Sequence, residues 1–416
     1  MKIIHFNTFE GGGGAAKASL ALHRAMLDLD VDASLIVHRK TSADPTVIGG
    51  PPTRFGPFRR KLLPWVLSKL HHLWYRPLEV WTFGVFGNRS ITRQRAVEDA
   101  DIISLSWVSW FLDVEAIGQL LKKNKPVVWT CYDMWPFTGG CHYAGDCSNY
   151  VAHCGNCPQL GSKSERDISR WLWNKKQNCW DLSRLTVVCP SDWLAGCARN
   201  SGLLGGVRVE VIPTGIDASI FKQIPKELAR NQLGLPLDKS LLLFIATGGL
   251  SNERKGGRLL EQSLQVLHEM YQGDVPDVVI LGQRQNNYSI PEKFTVHSME
   301  FNDDISLASL YAACDVSVTA SKADNLPLTV LQSMACGTPC VAYDVGGMGD
   351  VIEHMKNGYL AQPFDVHDYA EGIHFVLADA SRHNSLVAES VGKIHSGYTS
   401  KHEAEQYLKL YEELLS

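Results

Sequence analysis

The sequence predicts an α/β protein made of two Rossmann-like domains, each built on a parallel sheet. Three observations carry this. Short apolar runs alternate with amphipathic helical stretches, the pattern of βαβ units. The alternation is interrupted once, around residues 209–217, by a strand, a turn and a polar connector. The chain has 416 residues, more than one small core holds at about 100–200 residues per domain. With 45% apolar and 20% charged residues it reads as soluble and globular, and a net charge of −4 argues against nucleic acid as a general partner. It has no uninterrupted apolar run of about 18 residues, and the first strand lacks the regions of a secretory signal. A cytoplasmic protein is expected, so the eleven cysteines are read as reduced thiols.

Residues 2–7 form the first expected strand. The run Gly11 to Gly14 follows, then a helix on which Ala15, Ala18, Leu22, Ala25 and Met26 share a face. A dinucleotide fingerprint would need a three-glycine spacing and an acidic residue closing the second strand, but residues 31–37 end at His38-Arg39. The run is therefore either a tight turn or a loop whose backbone approaches sugar or phosphate, with Gly13 and Gly14 at its ligand side. Further strands are expected at 101–105, 127–130 and 185–189, with a helix at 114–121 between them. The second block alternates through 241–246, 256–270, 278–281, 305–313 and 316–319 and continues to 377. Boundaries are placed at 1–212, 213–380 and a helical tail, 381–416.

Residues 321–350 hold the densest chemistry. Asp324 lies in a polar loop after the 316–319 strand, and Pro327 suits the first turn of the helix carrying Leu328, Leu331, Met334 and Ala335. The amides of Asn325, Leu326 and Leu328 make a positive helix end able to hold phosphate or sugar oxygens, with Asp324 as acceptor for hydroxyls. Gln332 lies eight residues after Asp324, two turns along nearly the same face. Gly337 and Pro339 end the helix and start a buried strand closed by Gly346-Gly347. Residues 247–257 also leave a strand and open a helix, so the amide of Gly248 and the cations of Arg254 and Lys255 are expected where a diphosphate would lie.

The segment Asp324, Gln332, Gly337-Thr338-Pro339-Cys340 and Gly346-Gly347-Met348-Gly349-Asp350 resembles the signature of retaining glycosyltransferases of the GT-B fold, the family-four group that uses nucleotide sugars. That group carries two glutamates where this chain has Asp324 and Gln332, and its Lys-Gly pair matches Lys255-Gly256. Its loop arginine is replaced by Gly249, with Arg254 placed to take over the charge. The resemblance implies two domains facing a cleft, a C-terminal helix crossing back to the first domain, and an acceptor-side first domain. It also implies catalysis without a metal or other cofactor beyond the donor sugar nucleotide.

Residues 129–143 are similar to the strand end and loop of exopolysaccharide transferases of the colanic-acid type. Tyr132 stands where those enzymes have a histidine that touches the donor sugar, and Asp133 is kept. Within the Cys-rich loop 131–160, Cys141, Cys147, Cys154 and Cys157 are read in three ways: a structural zinc site with His142 as an alternative ligand, packed reduced thiols, or a disulfide. Residues 51–86 interleave Arg54, Arg59, Arg60, Lys61, Lys69 and Arg76 with Phe55, Phe58, Trp65, Trp74, Tyr75 and Trp81. Such a stretch suits a membrane surface or lipid-linked acceptor, or else a helix packing its aromatics inward.

These readings converge on a retaining hexosyltransferase that uses a UDP- or GDP-sugar and a lipid-linked or growing exopolysaccharide or lipopolysaccharide acceptor at the inner membrane face. Lys255 and Arg254 would stabilise the leaving diphosphate, Asp324 would orient sugar hydroxyls, and Gln332 would bind ribose. The alternative is a nucleotide-sugar-binding partner subunit without turnover, suggested by the departures at Tyr132, Gly249, Asp324 and Gln332.

Overall fold

A computed structural model describes residues 1–50, 81–84, 87–245, 253–271, 274–282, 290–301 and 303–416. The chain divides into two compact units, Met1–Ile212 with Ala404–Ser416, and Pro213–Glu403. Most of the basic and aromatic stretch at 51–86, together with Gly248 and Gly249, lies outside the described residues.

In the first unit β1 (Lys2–Phe9), β2 (Asp32–Arg39), β3 (Val47–Gly49), β4 (Ile102–Leu105), β5 (Val127–Thr130), β6 (Leu185–Cys189) and β7 (Arg208–Val211) form one sheet in the order β3-β2-β1-β4-β5-β6-β7. Every pairing is parallel. β4, β5 and β6 are buried along their whole length, which is why they read as unbroken apolar runs rather than alternating ones. The helix Gly14–Asp28 buries Ala18, Leu22, Ala25 and Met26 as its periodicity requires, while Ala15 is half-exposed and Ala16 points inward.

The second unit holds β8 (Leu241–Ile245), β9 (Asp277–Leu281), β10 (Val296–Met299), β11 (Val316–Thr319), β12 (Cys340–Tyr343) and β13 (Gly358–Ala361), in the order β10-β9-β8-β11-β12-β13. These pairings are also parallel. Changes of direction in strand order fall at β1/β4 and at β8/β11, the places where open parallel sheets present loops to ligands. Among the described residues no helix is long and apolar enough to cross a membrane.

The expected tail, 381–416, divides between the units. The helix Ala380–Gly397 stays with the second, burying Leu386 and Ile394, whereas Ala404–Ser416 joins the first. Tyr407 shares a 2.6 Å hydrogen bond with Thr130, and the Tyr411 hydroxyl donates to Ser104 at 3.2 Å. Ala404, Tyr407, Leu410 and Tyr411 complete a core with Ile3, Leu22, Ile102 and Val128. The C-terminal helix thus covers the face of the first sheet formed by β1, β4 and β5.

Candidate functional site

In the second unit β8 and β11 are neighbours, so the loops that leave their C-terminal ends emerge side by side. The turn Glu253–Lys255 belongs to the first loop and Asp324 to the second. Lys255 Nζ lies 2.7 Å and Arg254 Nη1 3.3 Å from Asp324 Oδ2. Arg254 Nη1 also donates to the Ala323 carbonyl at 2.9 Å, and the Lys322 amide returns a 2.7 Å bond to the Arg254 carbonyl. Two cations and one carboxylate are thereby fixed by a reciprocal set of loop-to-loop bonds.

Two glycines permit this approach. Gly256 has φ +69°, and a Cβ there would stand 1.8 Å from the Ala320 carbonyl oxygen. Gly346, after β12, has φ +61°, and its Cβ would stand 1.8 Å from the carbonyl oxygen of Asp324. The Gly347 amide donates to that oxygen at 3.3 Å. Three adjacent strand ends, those of β8, β11 and β12, therefore hold Asp324 from three sides.

Asp324 is buried, at 8% exposure, while the Lys255 and Arg254 side chains keep 26% and 24%. Burial alone would raise the Asp324 carboxyl, but the Lys255 ammonium and Arg254 guanidinium hold it below the ordinary value. It is ionised at neutral pH, leaving the triad with one net positive charge. Two partly exposed cations beside a buried carboxylate can meet a diphosphate on one side and sugar hydroxyls on the other.

The rest of the 321–350 segment is arranged differently from expectation. Pro327 is the N-cap residue, one position before the helix Leu328–Ala335, not within its first turn. The Asn325 amide donates to Asp324 Oδ1 at 3.2 Å, so it fixes the carboxylate. Leu326 is buried in the core and Leu328 is half-exposed against it. Gln332 is buried, and its Oε1 accepts the Tyr311 hydroxyl at 3.3 Å.

In the first unit Gly13 has φ +113° and caps the helix Gly14–Asp28, and a Cβ at any position from Gly11 to Gly14 would meet nothing within 4 Å. Among the described residues nothing presses on this run, which leaves its backbone open to approach by them. At the end of β5, Tyr132 is half-exposed and Asp133 buried. Asp133 Oδ2 accepts from Trp107 Nε1 at 2.8 Å and lies 2.6 Å from His142 Nδ1, while Oδ1 accepts the Trp135 amide. Burial would raise this carboxyl, and His142 with the N–H groups holds it low. His142 Nε2 lies 2.8 Å from Thr82 Oγ1, which also accepts from Trp110 Nε1 at 2.9 Å.

Sequence reasoning did not find this Trp107–Asp133–His142–Thr82–Trp110 network. Its members lie up to 60 residues apart, and only the histidine after Cys141 could have pointed to it. His142 is committed to two partners and is not available as the alternative metal ligand. The four cysteines Cys141, Cys147, Cys154 and Cys157 are free thiols. Among the described residues no three His, Cys, Asp or Glu side chains are drawn together as a bound metal would hold them.

Residues 242–379 match the family model described as "Glycosyl transferases group 1". The chain is 29% identical over 197 residues to a D-inositol 3-phosphate glycosyltransferase of Thermobispora bispora, covering 44% of this chain and 46% of the relative. It is 31% identical over 225 residues to the enzyme of that name from Xylanimonas cellulosilytica, covering 49% and 52%. The N-acetyl-alpha-D-glucosaminyl L-malate synthase of Bacillus anthracis is 23% identical over 215 residues, covering 50% and 54%. The chain spans about half the length of the curated relatives it matches. The sucrose-phosphate synthase of Thermosynechococcus elongatus superposes with a TM-score of 0.66 at 19% identity, covering 100% of this chain and 99% of that one. Anabaena HepE, solved with UDP-glucose, gives 0.62 at 16% identity, covering 99% and 100%. The chain therefore has the GT-B fold of two parallel-sheet domains, and the glycosyl transferases group 1 model matches its residues 242–379.

Proposed function

We propose that the protein is a retaining glycosyltransferase that moves a hexose from a UDP- or GDP-sugar to a lipid-linked or growing exopolysaccharide or lipopolysaccharide acceptor. The observation that carries the reading is the convergence of Lys255, Arg254 and Asp324 at the ends of adjacent strands, inside the segment that matches the family model. The curated relatives, themselves named as glycosyltransferases, support the same reaction class.

In this reaction the bond from the sugar C1 to the diphosphate oxygen breaks and a new bond forms from C1 to an acceptor hydroxyl oxygen. The acceptor proton passes to the departing phosphate, and the nucleoside diphosphate leaves. Lys255 and Arg254 place positive charge where negative charge grows, which is the largest single contribution a preorganised site makes. Asp324 accepts hydroxyls of the sugar, and Gln332 is assigned to the ribose. The reaction needs no metal, because the two cations serve the leaving group. The acceptor class is supported by the likeness of residues 129–143 to exopolysaccharide transferases and by the basic, aromatic composition of 51–86, which suits the inner membrane face.

The test is nucleotide release and glycolipid mass from a panel of UDP- and GDP-sugars with a membrane extract containing lipid-linked acceptors. Wild-type protein should release nucleotide only with acceptor present, and Lys255→Ala should lower the rate on the order of 10²–10³-fold. If a donor binds the wild type without turnover under every acceptor condition, the non-catalytic partner reading replaces this one. If no donor binds, the donor-site assignment is wrong.

A further inference from the structure

Trp110 is 65% exposed, yet its backbone and its one polar atom are both tied down. It lies in the loop that follows β4 and adopts φ +72°, a left-handed conformation that is costly for a bulky side chain and persists only where the surroundings over-determine it. We propose that Trp110, with Phe9 on the neighbouring strand end, is a stacking platform for a pyranose ring of the glycan acceptor, a subsite contained in the first unit. That the glycan is an acceptor rests on the transferase reading; that a sugar ring seats on Trp110 rests on the geometry of this loop.

The indole is aimed by a chain of hydrogen bonds. Trp110 Nε1 donates to Thr82 Oγ1 at 2.9 Å, Thr82 Oγ1 lies 2.8 Å from His142 Nε2, and His142 Nδ1 lies 2.6 Å from Asp133 Oδ2. The Thr82 amide donates to the Gly140 carbonyl at 2.8 Å, which anchors the chain on a second loop. An indole has a single donor, so once that N–H is held the ring offers only carbon to solvent. The backbone is fixed as well. Thr8 Oγ1 donates to the Ser109 carbonyl at 2.7 Å, the Thr8 amide donates to the Trp107 carbonyl at 2.8 Å, and Phe111 and Leu112 are buried immediately after. Trp110 therefore does not reach solvent through looseness of its loop.

Phe9, 40% exposed, ends β1 and stacks on Trp107 at 5.8 Å with the ring planes 22° apart. Trp107 in turn stacks on the buried His142 at 5.8 Å and 29°. The two exposed rings thus share one support. β1 and β4 are paired at the point where strand order changes direction, where open parallel sheets take ligands.

The chemistry fits a sugar ring better than a lipid surface. A pyranose has a face of C–H bonds and a rim of hydroxyls. The C–H face, slightly positive, settles on the negative face of an aromatic ring, and the rim stays hydrated or meets polar groups. Within residues 8–14 and 106–113, Phe9 and Trp110 are the exposed apolar side chains. Two separate rings over a polar network suit single sugar units, whereas insertion into lipid calls for a continuous apolar face.

The test uses the full chain, with the lipid-linked acceptor in the transfer assay and the same glycans freed from lipid by mild acid for donor-free binding, read by saturation-transfer NMR. Trp110→Gly suits the left-handed backbone and should remain folded. It should raise acceptor KM roughly tenfold and lose glycan binding while kcat and donor affinity hold, and Trp110→Phe should stay within about threefold of wild type. Thr82→Val should raise acceptor KM by a smaller factor in the wild type and by nothing in the Trp110→Gly background, because it acts only through the ring. If Trp110→Gly fails to fold, Trp110→Leu, which keeps bulk without an aromatic face, carries the comparison with Trp110→Phe. Unchanged acceptor KM and glycan binding overturn the proposal, as does an equal loss of donor and acceptor affinity. A loss confined to binding of phosphatidylglycerol vesicles also overturns it and makes Trp110 a membrane anchor. If the wild type transfers from no donor, the transferase reading falls and donor-free glycan binding decides the platform by itself: binding that Trp110→Gly abolishes sustains it, and no binding by the wild type overturns it.

Discussion

Replacing Asp324 by Asn removes one negative charge and little volume, and it should separate nucleotide binding from transfer in opposite directions. At 2.7 and 3.3 Å the carboxylate is the immediate counterion of Lys255 and Arg254. Those cations are about one-quarter exposed, so the pair lies between a buried one, costing 3–5 kcal/mol when broken, and an exposed one at 0.2–1 kcal/mol, and a stability loss of about 1–3 kcal/mol follows. A diphosphate seated on Lys255 would lie roughly 5 Å from the carboxylate. With effective dielectric constants between about 20 and 80, their repulsion is about 1–3 kcal/mol. Asp324→Asn should therefore bind a free nucleoside diphosphate roughly tenfold more tightly. Sugar transfer should fall on the order of 10²-fold, because the amide presents one weaker acceptor to the sugar hydroxyls. Titration calorimetry with UDP and GDP, beside acceptor-dependent turnover, measures both quantities. Weaker diphosphate binding in the variant, or full turnover, would refute the assignment of Lys255 to the diphosphate and of Asp324 to the sugar.

Gly346→Ala combines a φ of +61° with a Cβ that would stand 1.8 Å from the Asp324 carbonyl oxygen, so the loop must shift by about 1 Å or more, and a loss of about 2–4 kcal/mol is expected in thermal melts. Donor affinity should weaken with it; an unchanged melt would mean that the β12 turn does not brace Asp324. Glu403 is buried and accepts the Gly215 amide at 2.8 Å. Burial pushes its carboxyl up to about 8, with the Gly215 amide acting in the opposite sense. A folded-state value above the unfolded one means that the group's stability is full below the ordinary carboxylate range and is lost as pH climbs toward 8. Glu403→Gln should flatten the fall of melting temperature between about pH 4.5 and 8 and raise it at the upper end by the equivalent of a few kcal/mol. Identical pH slopes for variant and wild type would show that Glu403 does not stay protonated.

Parts of the molecule were legible because one physical signal dominates them. β4, β5, β6, β8 and β9 are central strands with nearly every residue buried, and burial on both faces leaves an apolar run that is hard to misread. β3 and β10 are edge strands. β3 has three residues and β10 has none fully buried, so their composition resembles a loop and neither was anticipated. The site divides on the same principle. Lys255 and Asp324 could be singled out because each follows a strand and precedes a helix, and adjacency of β8 and β11 then brings them together across 69 residues. The sequence does not show that each is the other's counterion, because strand order is a property of the sheet.

Lys176 marks the limit more sharply. Lys175 and Lys176 are consecutive, and either could be the solvated one; Lys175 pairs with Glu115 at 2.6 Å, while Lys176 is sealed beneath Trp135 and Trp180. A buried cation becomes visible only when the walls around it are known, and here those walls are the loop that carries the four cysteines. Lys176 and the cysteines were separate features in the sequence, one unremarked and the other open to three readings. In the structure the Lys176 ammonium lies against the loop that carries them and donates to its Trp135 and Thr138 carbonyls. Burial lowers that ammonium to about 7, so its charge is set by the loop packed over it and not by the residues beside it in the sequence.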